Sequence, residues 1–264
     1  MRASRLEIVP TPGVVDRIAL SLPRGSAISV TALPHHGIAT TVETAIELAG
    51  LGFDAIPHLA ATRIPDRAQL ARLLDRLDAA GVQSLFVIGG DGDRASSAFE
   101  HGGDLLATIR ELTGDRFRLG VAGYPEGHPQ LSVGAGIDVL AGKAPLADFV
   151  VTQMCFSPEP ILAYLRALRS RGIGLPVWLG VPGAVRLRRL LGIAARIGVG
   201  PSLSFAGKGG NLRLLGRFDA PGFCARLETQ AEQARLDFAG FHVYSFNDFA
   251  LRAPTTTEHV GETP

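Results

Sequence analysis

The residues best able to do chemistry in this chain stand at the ends of short apolar runs. The densest group is Gly120–Pro129, GVAGYPEGHP, where Leu119, Val121 and Ala122 read as a buried strand that gives way to Tyr124, Glu126 and His128 among prolines. A packed core does not require that ending, which carries polar groups out of a strand and into a site. Similar endings place Thr31, His58, Asp91, Gln153, Tyr244 and Asn247 at other run ends. Glu7 differs, because it sits inside its run among Leu6, Ile8 and Val9. A carboxylate there is costly unless a partner satisfies it or its surroundings keep it protonated. A carboxylic acid kept protonated near neutral pH is what general-acid chemistry needs. Plainer roles stay open for three of these residues: Asp91 in GGDGD can cap a turn, Gln153 can be a core amide, and His58 after Pro57 can be a hydrogen-bonded structural residue.

Other chemistries find less support. Cys155 and Cys224 are far apart and neither lies in a CxxC pair, which argues against a zinc site or a disulfide framework. His35-His36 and His101 lack ligand-type spacing, so no metal is expected. GGDGD has neither the Walker lysine nor dinucleotide GxGxxG spacing. The 264 residues carry 26 basic and 25 acidic side chains, a net charge of +1, which gives no overall electrostatic reason to bind nucleic acid or an anionic membrane. No apolar run approaches the roughly 20 residues of a transmembrane helix, and the opening MRASRLEIVP lacks the apolar segment of a secretory signal. A cytoplasmic protein acting on a small ligand is the expectation, with a homo-oligomer left open.

The elements that must position these residues follow a strand–helix rhythm. With 46% hydrophobic and 19% charged residues the chain can fill a large core. Eight Val- and Ile-rich runs recur, at Leu6–Pro10, Ala27–Leu33, Asp54–Ala61, Ser84–Asp91, Arg118–Pro125, Phe149–Phe156, Pro176–Gly183 and Gly240–Asn247. Helices are predicted near Thr40–Leu51, Asp66–Ala80, Gly103–Leu112, Leu131–Ala141, Pro158–Arg171, Val185–Ile197 and Pro221–Phe238. In the second of these, Leu70, Leu73, Leu74 and Leu77 form one stripe, and Asp66 is a candidate N-cap. Eight such repeats in about 250 residues match an α/β fold of the (β/α)8 TIM barrel type, whose site lies at the C-terminal ends of the strands. A doubly wound open sheet is the alternative. One barrel domain is expected over residues 1–251, with a frayed tail at 252–264. Gly198–Gly216, with six glycines and an apolar set that includes Phe205, reads as an extra loop or short helix.

Taken in order, these motifs resemble the methylenetetrahydrofolate reductase family from Leu6 to about Asn247. Leu6-Glu7-Ile8-Val9-Pro10 is similar to its opening strand, Ser29-Val30-Thr31 to its second and Pro57-His58-Leu59 to its third. Gly90-Asp91 stands at its Arg-Gly-Asp strand end, and Ala122–Pro129 is nearly its AAYPEGHP motif. Thr152-Gln153 matches its TQ strand, and His242-Val243-Tyr244-Ser245-Phe246-Asn247 its closing HFYTLN strand. The resemblance implies a barrel that reduces 5,10-methylenetetrahydrofolate to 5-methyltetrahydrofolate, with hydride from NADH or NADPH, usually through FAD. It implies Glu7 as general acid and Asp91 as stabiliser of the developing cation. Gln153, Thr31, Phe205 and Tyr244 would bind the folate; His58, Gly90, Tyr124, Glu126, His128 and Lys143 would bind the cofactor.

The departures concern the flavin. Gly89 stands where flavin-binding members carry arginine, His101 replaces an aromatic residue, and the basic cluster before the sixth strand is reduced to Lys143. Fewer cations mean fewer charge-assisted bonds to a pyrophosphate. Together with Arg196-Ile197-Gly198-Val199-Gly200, they resemble a divergent short branch in which hydride passes directly from the nicotinamide. A FAD-dependent reductase of the same family and a non-catalytic folate-binding protein are the alternatives.

Overall fold

The computed structural model describes residues 2–33, 37–90, 97–186 and 217–249. Its strands are β1 (Ala3–Ile8), β2 (Ala27–Val30), β3 (Asp54–Ala60), β4 (Ser84–Ile88), β5 (Arg118–Gly123), β6 (Phe149–Thr152), β7 (Val177–Pro182) and β8 (Gly240–Tyr244). All pair in parallel, in chain order, and close into a barrel through β1 and β8. Closure decides between the barrel and the open sheet. Seven helices are seen among the described residues: α1 (Val14–Ser21), α2 (Gly37–Gly50), α3 (Arg67–Ala79), α4 (Gly102–Thr113), α5 (Val133–Lys143), α6 (Pro158–Ser170) and α7 (Ala220–Gln233). None is long and apolar enough to cross a membrane.

Helix α3 forms as its sequence predicts. The Asp66 carboxylate accepts from the Gln69 amide at 2.7 Å, and the four stripe leucines are all buried. Helix α1 was not anticipated. It has eight residues, its N-cap is Gly13 with no side-chain cap, it buries only Val14, Val15 and Ile18, and Leu20 is 88% exposed. Its stripe is too short and too diluted to register as periodicity. Helix α5 starts at Val133 rather than Leu131, because the Ser132 hydroxyl caps it while Leu131 exchanges backbone hydrogen bonds with His128. The predicted helix Val185–Ile197 is not helical at Val185, which donates to Gly183, or at Arg186, which bridges to Arg217; its remainder lies outside the described residues.

Alternate residues of each strand fill the barrel, as the two-residue period of a strand requires. On the floor Ile56, Phe86, Phe149 and Val151 pack with Trp178. Gly120 and Gly240 make room there: a Cβ on either would run into the Phe149 or Trp178 ring. The Arg5 guanidinium lies between those two rings, 3.8 Å from the Trp178 centroid and 4.4 Å from that of Phe149. Burial pulls its pKa down to about 10, so it is still a cation at neutral pH.

The seam between the first and last strands carries its own fastening. Beyond β8, Phe246 and Asn247 take left-handed backbone conformations, with φ of 50° and 60°. That turn brings the Asn247 amide onto β1's exit, where it accepts from the Val9 N–H at 2.8 Å and donates to the Val9 carbonyl at 2.8 Å and the Thr11 hydroxyl at 3.0 Å. The Ser245 hydroxyl donates to the Glu7 carbonyl at 2.6 Å. Asn247, expected at the mouth with the other strand-end residues, is a clasp between strands.

Candidate active site

Glu7 points into the barrel near the C-terminal end of β1, level with Ser29 of β2 and Tyr244 of β8. Two histidines flank it. The His242 Nε2 lies 3.0 Å from the Glu7 Oε2, and the His58 Nε2 lies 3.7 Å from that same oxygen. The Glu7 side chain keeps 14% exposure, whereas His242 keeps 1%. The barrel thus satisfies the acid on one side and leaves it open toward the mouth.

His58 is closed in on all sides. Burial drives its pKa down to about 4, Glu7 pulling it back up and His242 pushing it further down. It is neutral at ordinary pH. Its Nε2 sits 2.7 Å from the Ser29 hydroxyl, which also reaches the Ile56 carbonyl at 3.4 Å. His58 therefore stands beside the acid, deep in the barrel, and not on the open rim.

Around this group stand the other strand-end residues. The Tyr244 hydroxyl donates to the Thr152 carbonyl at 3.1 Å, and burial, then Glu7, Cys155 and Tyr124, raise its pKa well above the usual phenol value. Tyr124 meets His128 edge to face at 5.0 Å. Glu126 lies close enough to Cys155 to add to the burial that raises that thiol's pKa. The Gln153 carbonyl oxygen accepts from the Met154 amide at 2.8 Å, which fixes the side chain and leaves its NH2 as a donor. Thr31 follows β2; its N–H donates to the Ile8 carbonyl at 3.0 Å, and its buried hydroxyl has no hydrogen-bond partner. Asp91 and Phe205 lie outside the described residues, though Gly90 just before Asp91 must be glycine: its φ is 84°, and a Cβ would meet Thr62 and Ala60.

A second feature lies beside the mouth. Gly89, Tyr124, Leu131, Gly136 and Lys143 line a cleft between the ends of β4 and β5 and helix α5. Lys143 is its only cation among the described residues; burial lowers its pKa and Asp104 partly restores it. Gly89 contributes no side chain, and His101 is occupied in capping α4, where its Nδ1 accepts from the Asp104 N–H while the Asp104 carboxylate accepts from the His101 N–H. Among the described residues the cleft therefore offers a pyrophosphate one partly desolvated lysine. Cys155 and Cys224 are both free, and no group of three or more potential metal ligands occurs among the described residues.

Ser29 and His242 had no role assigned from the sequence. The signal was partial: His242 must face the same way as Tyr244 two residues on, but that it meets Glu7, and that Ser29 shares the level of Glu7, follows only from the strand register.

Against this geometry, the family profile described as methylenetetrahydrofolate reductase matches residues 15–193, more than half of the chain. The chain belongs to the methylenetetrahydrofolate reductase family. Among its relatives, methylenetetrahydrofolate reductase 2 of Saccharomyces cerevisiae is 30% identical over 145 residues, 50% of this chain and 24% of that protein. A probable methylenetetrahydrofolate reductase (NADPH) of Caenorhabditis elegans is 32% identical over 136 residues, 49% of this chain and 20% of that protein. Methylenetetrahydrofolate reductase (NADH) 1 of Zea mays is 28% identical over 163 residues, 55% of this chain and 27% of that protein. The chain spans about a quarter of the length of these curated relatives. The family match begins after Glu7 and ends before β8, so it covers neither Glu7 nor His242.

Proposed function

We propose that this chain reduces 5,10-methylenetetrahydrofolate to 5-methyltetrahydrofolate, taking hydride directly from NADH or NADPH. The observation that carries the reading is Glu7, an acid held by one carboxyl oxygen inside the barrel and open on its other side to the mouth. A proton from Glu7 to one nitrogen of the folate's five-membered ring breaks the bond from that nitrogen to the bridging carbon. The carbon is left as an iminium on the other nitrogen, and hydride converts it to methyl. One proton and one hydride are consumed. The nicotinamide supplies the hydride. Gln153 offers its NH2 to the pterin, Tyr244 and Thr31 line the same mouth, and Asp91 is assigned to the cation it would stabilise.

Direct transfer is supported by the cleft beside Lys143, which offers a flavin pyrophosphate a single cation among the described residues. A folate carrier without catalysis would leave unexplained why an acid is placed inside β1. The deciding experiment is steady-state kinetics on purified protein with its absorption spectrum. Direct transfer needs both ligands bound at once, the reacting carbons within about 3–3.5 Å. It therefore gives intersecting double-reciprocal lines, no flavin band and no activation by added FAD. Parallel lines with a stoichiometric flavin spectrum would return the protein to a flavin relay; no turnover under any condition would leave the carrier.

A further inference from the structure

His242 is held in a way that fixes where the Glu7 proton resides. It is 1% exposed, its Nε2 faces the Glu7 Oε2 at 3.0 Å, and its Nδ1 is buried with no hydrogen-bond partner. An imidazolium would carry a second N–H at Nδ1 with nothing to receive it, and so would the tautomer protonated at Nδ1. A ring with its one proton on Nε2, donating to Oε2, is the form that leaves no buried N–H without an acceptor. On the other flank, the His58 Nε2 is engaged with the Ser29 hydroxyl at 2.7 Å and stands 3.7 Å from Oε2, beyond hydrogen-bond distance. Among the described residues, both contacts to the carboxyl fall on Oε2.

We infer that His242 is a positioning residue that keeps the acidic proton of Glu7 on the oxygen facing the mouth. With an N–H pointed at Oε2, a proton on that oxygen would meet another proton, so the carboxylic acid carries its hydrogen on Oε1. The pair thus orients the acid as well as satisfying it. This rests on the reading of Glu7 as general acid. Among the described residues, the titratable groups facing Glu7 are His242 and Tyr244 from β8 and His58 from β3, with Tyr124 and Cys155 beyond Tyr244.

The test compares His242→Phe, which keeps a buried ring without a donor, with His242→Gln, which restores an N–H at a similar reach. Misplacing a reacting group by about 1 Å costs on the order of 10²-fold in rate. The Phe variant is expected to lose about 10- to 100-fold in kcat with folate KM little changed, and the Gln variant to recover most of that loss. The alkaline limb of the kcat–pH profile should move to higher pH in the Phe variant, because a donor to Oε2 favours the ionised carboxylate and its loss delays ionisation. An unchanged kcat and pH profile in His242→Phe, or equal losses in both variants, would overturn the proposal. Should neither variant fold, 15N NMR of the imidazoles in wild-type protein decides: a proton on Nε2 of His242 supports it and one on Nδ1 refutes it. Glu7→Gln separates the two levels. If that variant turns over normally, the general-acid reading itself fails; if it is inactive while His242→Phe is normal, only the positioning role fails.

Discussion

Arg5 and Glu7 are two residues apart on β1 and face the same interior, yet the barrel treats the two charges in opposite ways. At the floor, Arg5 is clamped between the Phe149 and Trp178 rings with one guanidinium nitrogen left unpartnered. At the mouth, Glu7 is met by polar rings and keeps an open side. About 6.6 Å of strand separates them. The floor uses a charge as a packing piece, where aromatic faces replace water. At the mouth partners hold the carboxyl without covering it, the placement that the proposed general acid requires. Conserving a charge inside a barrel therefore says little about chemistry until its partners are known.

The sharpest way to break this contrast is Glu7→Gln, which keeps volume and hydrogen bonding while losing the proton. General acid catalysis contributes on the order of 10²–10⁴ in rate, so kcat should fall by about that factor with an unchanged melting curve. Near-normal turnover would remove Glu7 from the reaction. Next in size is an acid effect on stability at His58. Its folded pKa of about 4 lies below the 6.5 of the unfolded chain, so the unfolded state binds the extra proton first. Stability is complete above pH 6.5 and falls as pH drops toward 4, by on the order of 3 kcal/mol. Urea melts at pH 7 and pH 4.5 should show the drop, and His58→Gln should flatten most of it.

Gln153→Ala should weaken folate binding by about 10-fold, the worth of one or so hydrogen bonds, while the KM for nicotinamide barely moves; equal losses for both would take Gln153 off the folate. The smallest effect is expected at Arg5→Met. It removes cation–π contacts worth about 1–2 kcal/mol and also relieves a buried unpaired guanidinium nitrogen, so the two nearly cancel. Unfolding free energies from urea melts should change by no more than about 1 kcal/mol, and kcat should not change. A large loss of turnover at Arg5 would show that floor and mouth are coupled.

Much of this was legible before folding was considered. The strand rhythm carried the barrel because every run of apolar residues is long enough to count, and Asp66 marked α3 because its cap is a local device. Glu7 was visible as an acid out of place. What sequence did not yield depends on distance across the barrel. His242 becomes the partner of Glu7 only when β8 pairs with β1, and the role of Asn247 depends on two left-handed residues at a turn with no glycine to announce it. His101 was missed as a cap although the His-x-x-Asp spacing to Asp104 resembles a capping box, because histidine is not among the usual capping types.

The Asn247 clasp has a consequence for how the chain reaches its native state. The Glu7–His242 hydrogen bond joins residues 235 apart in sequence, and the clasp from Asn247 to Val9 joins residues 238 apart. Contacts of such separation are made late, after loop-closure entropy has been met. Synthesis delivers Glu7 before His242. A growing or partly folded chain thus carries Glu7 in β1 without the ring that orients it, and the acid is finished by the same event that shuts the barrel.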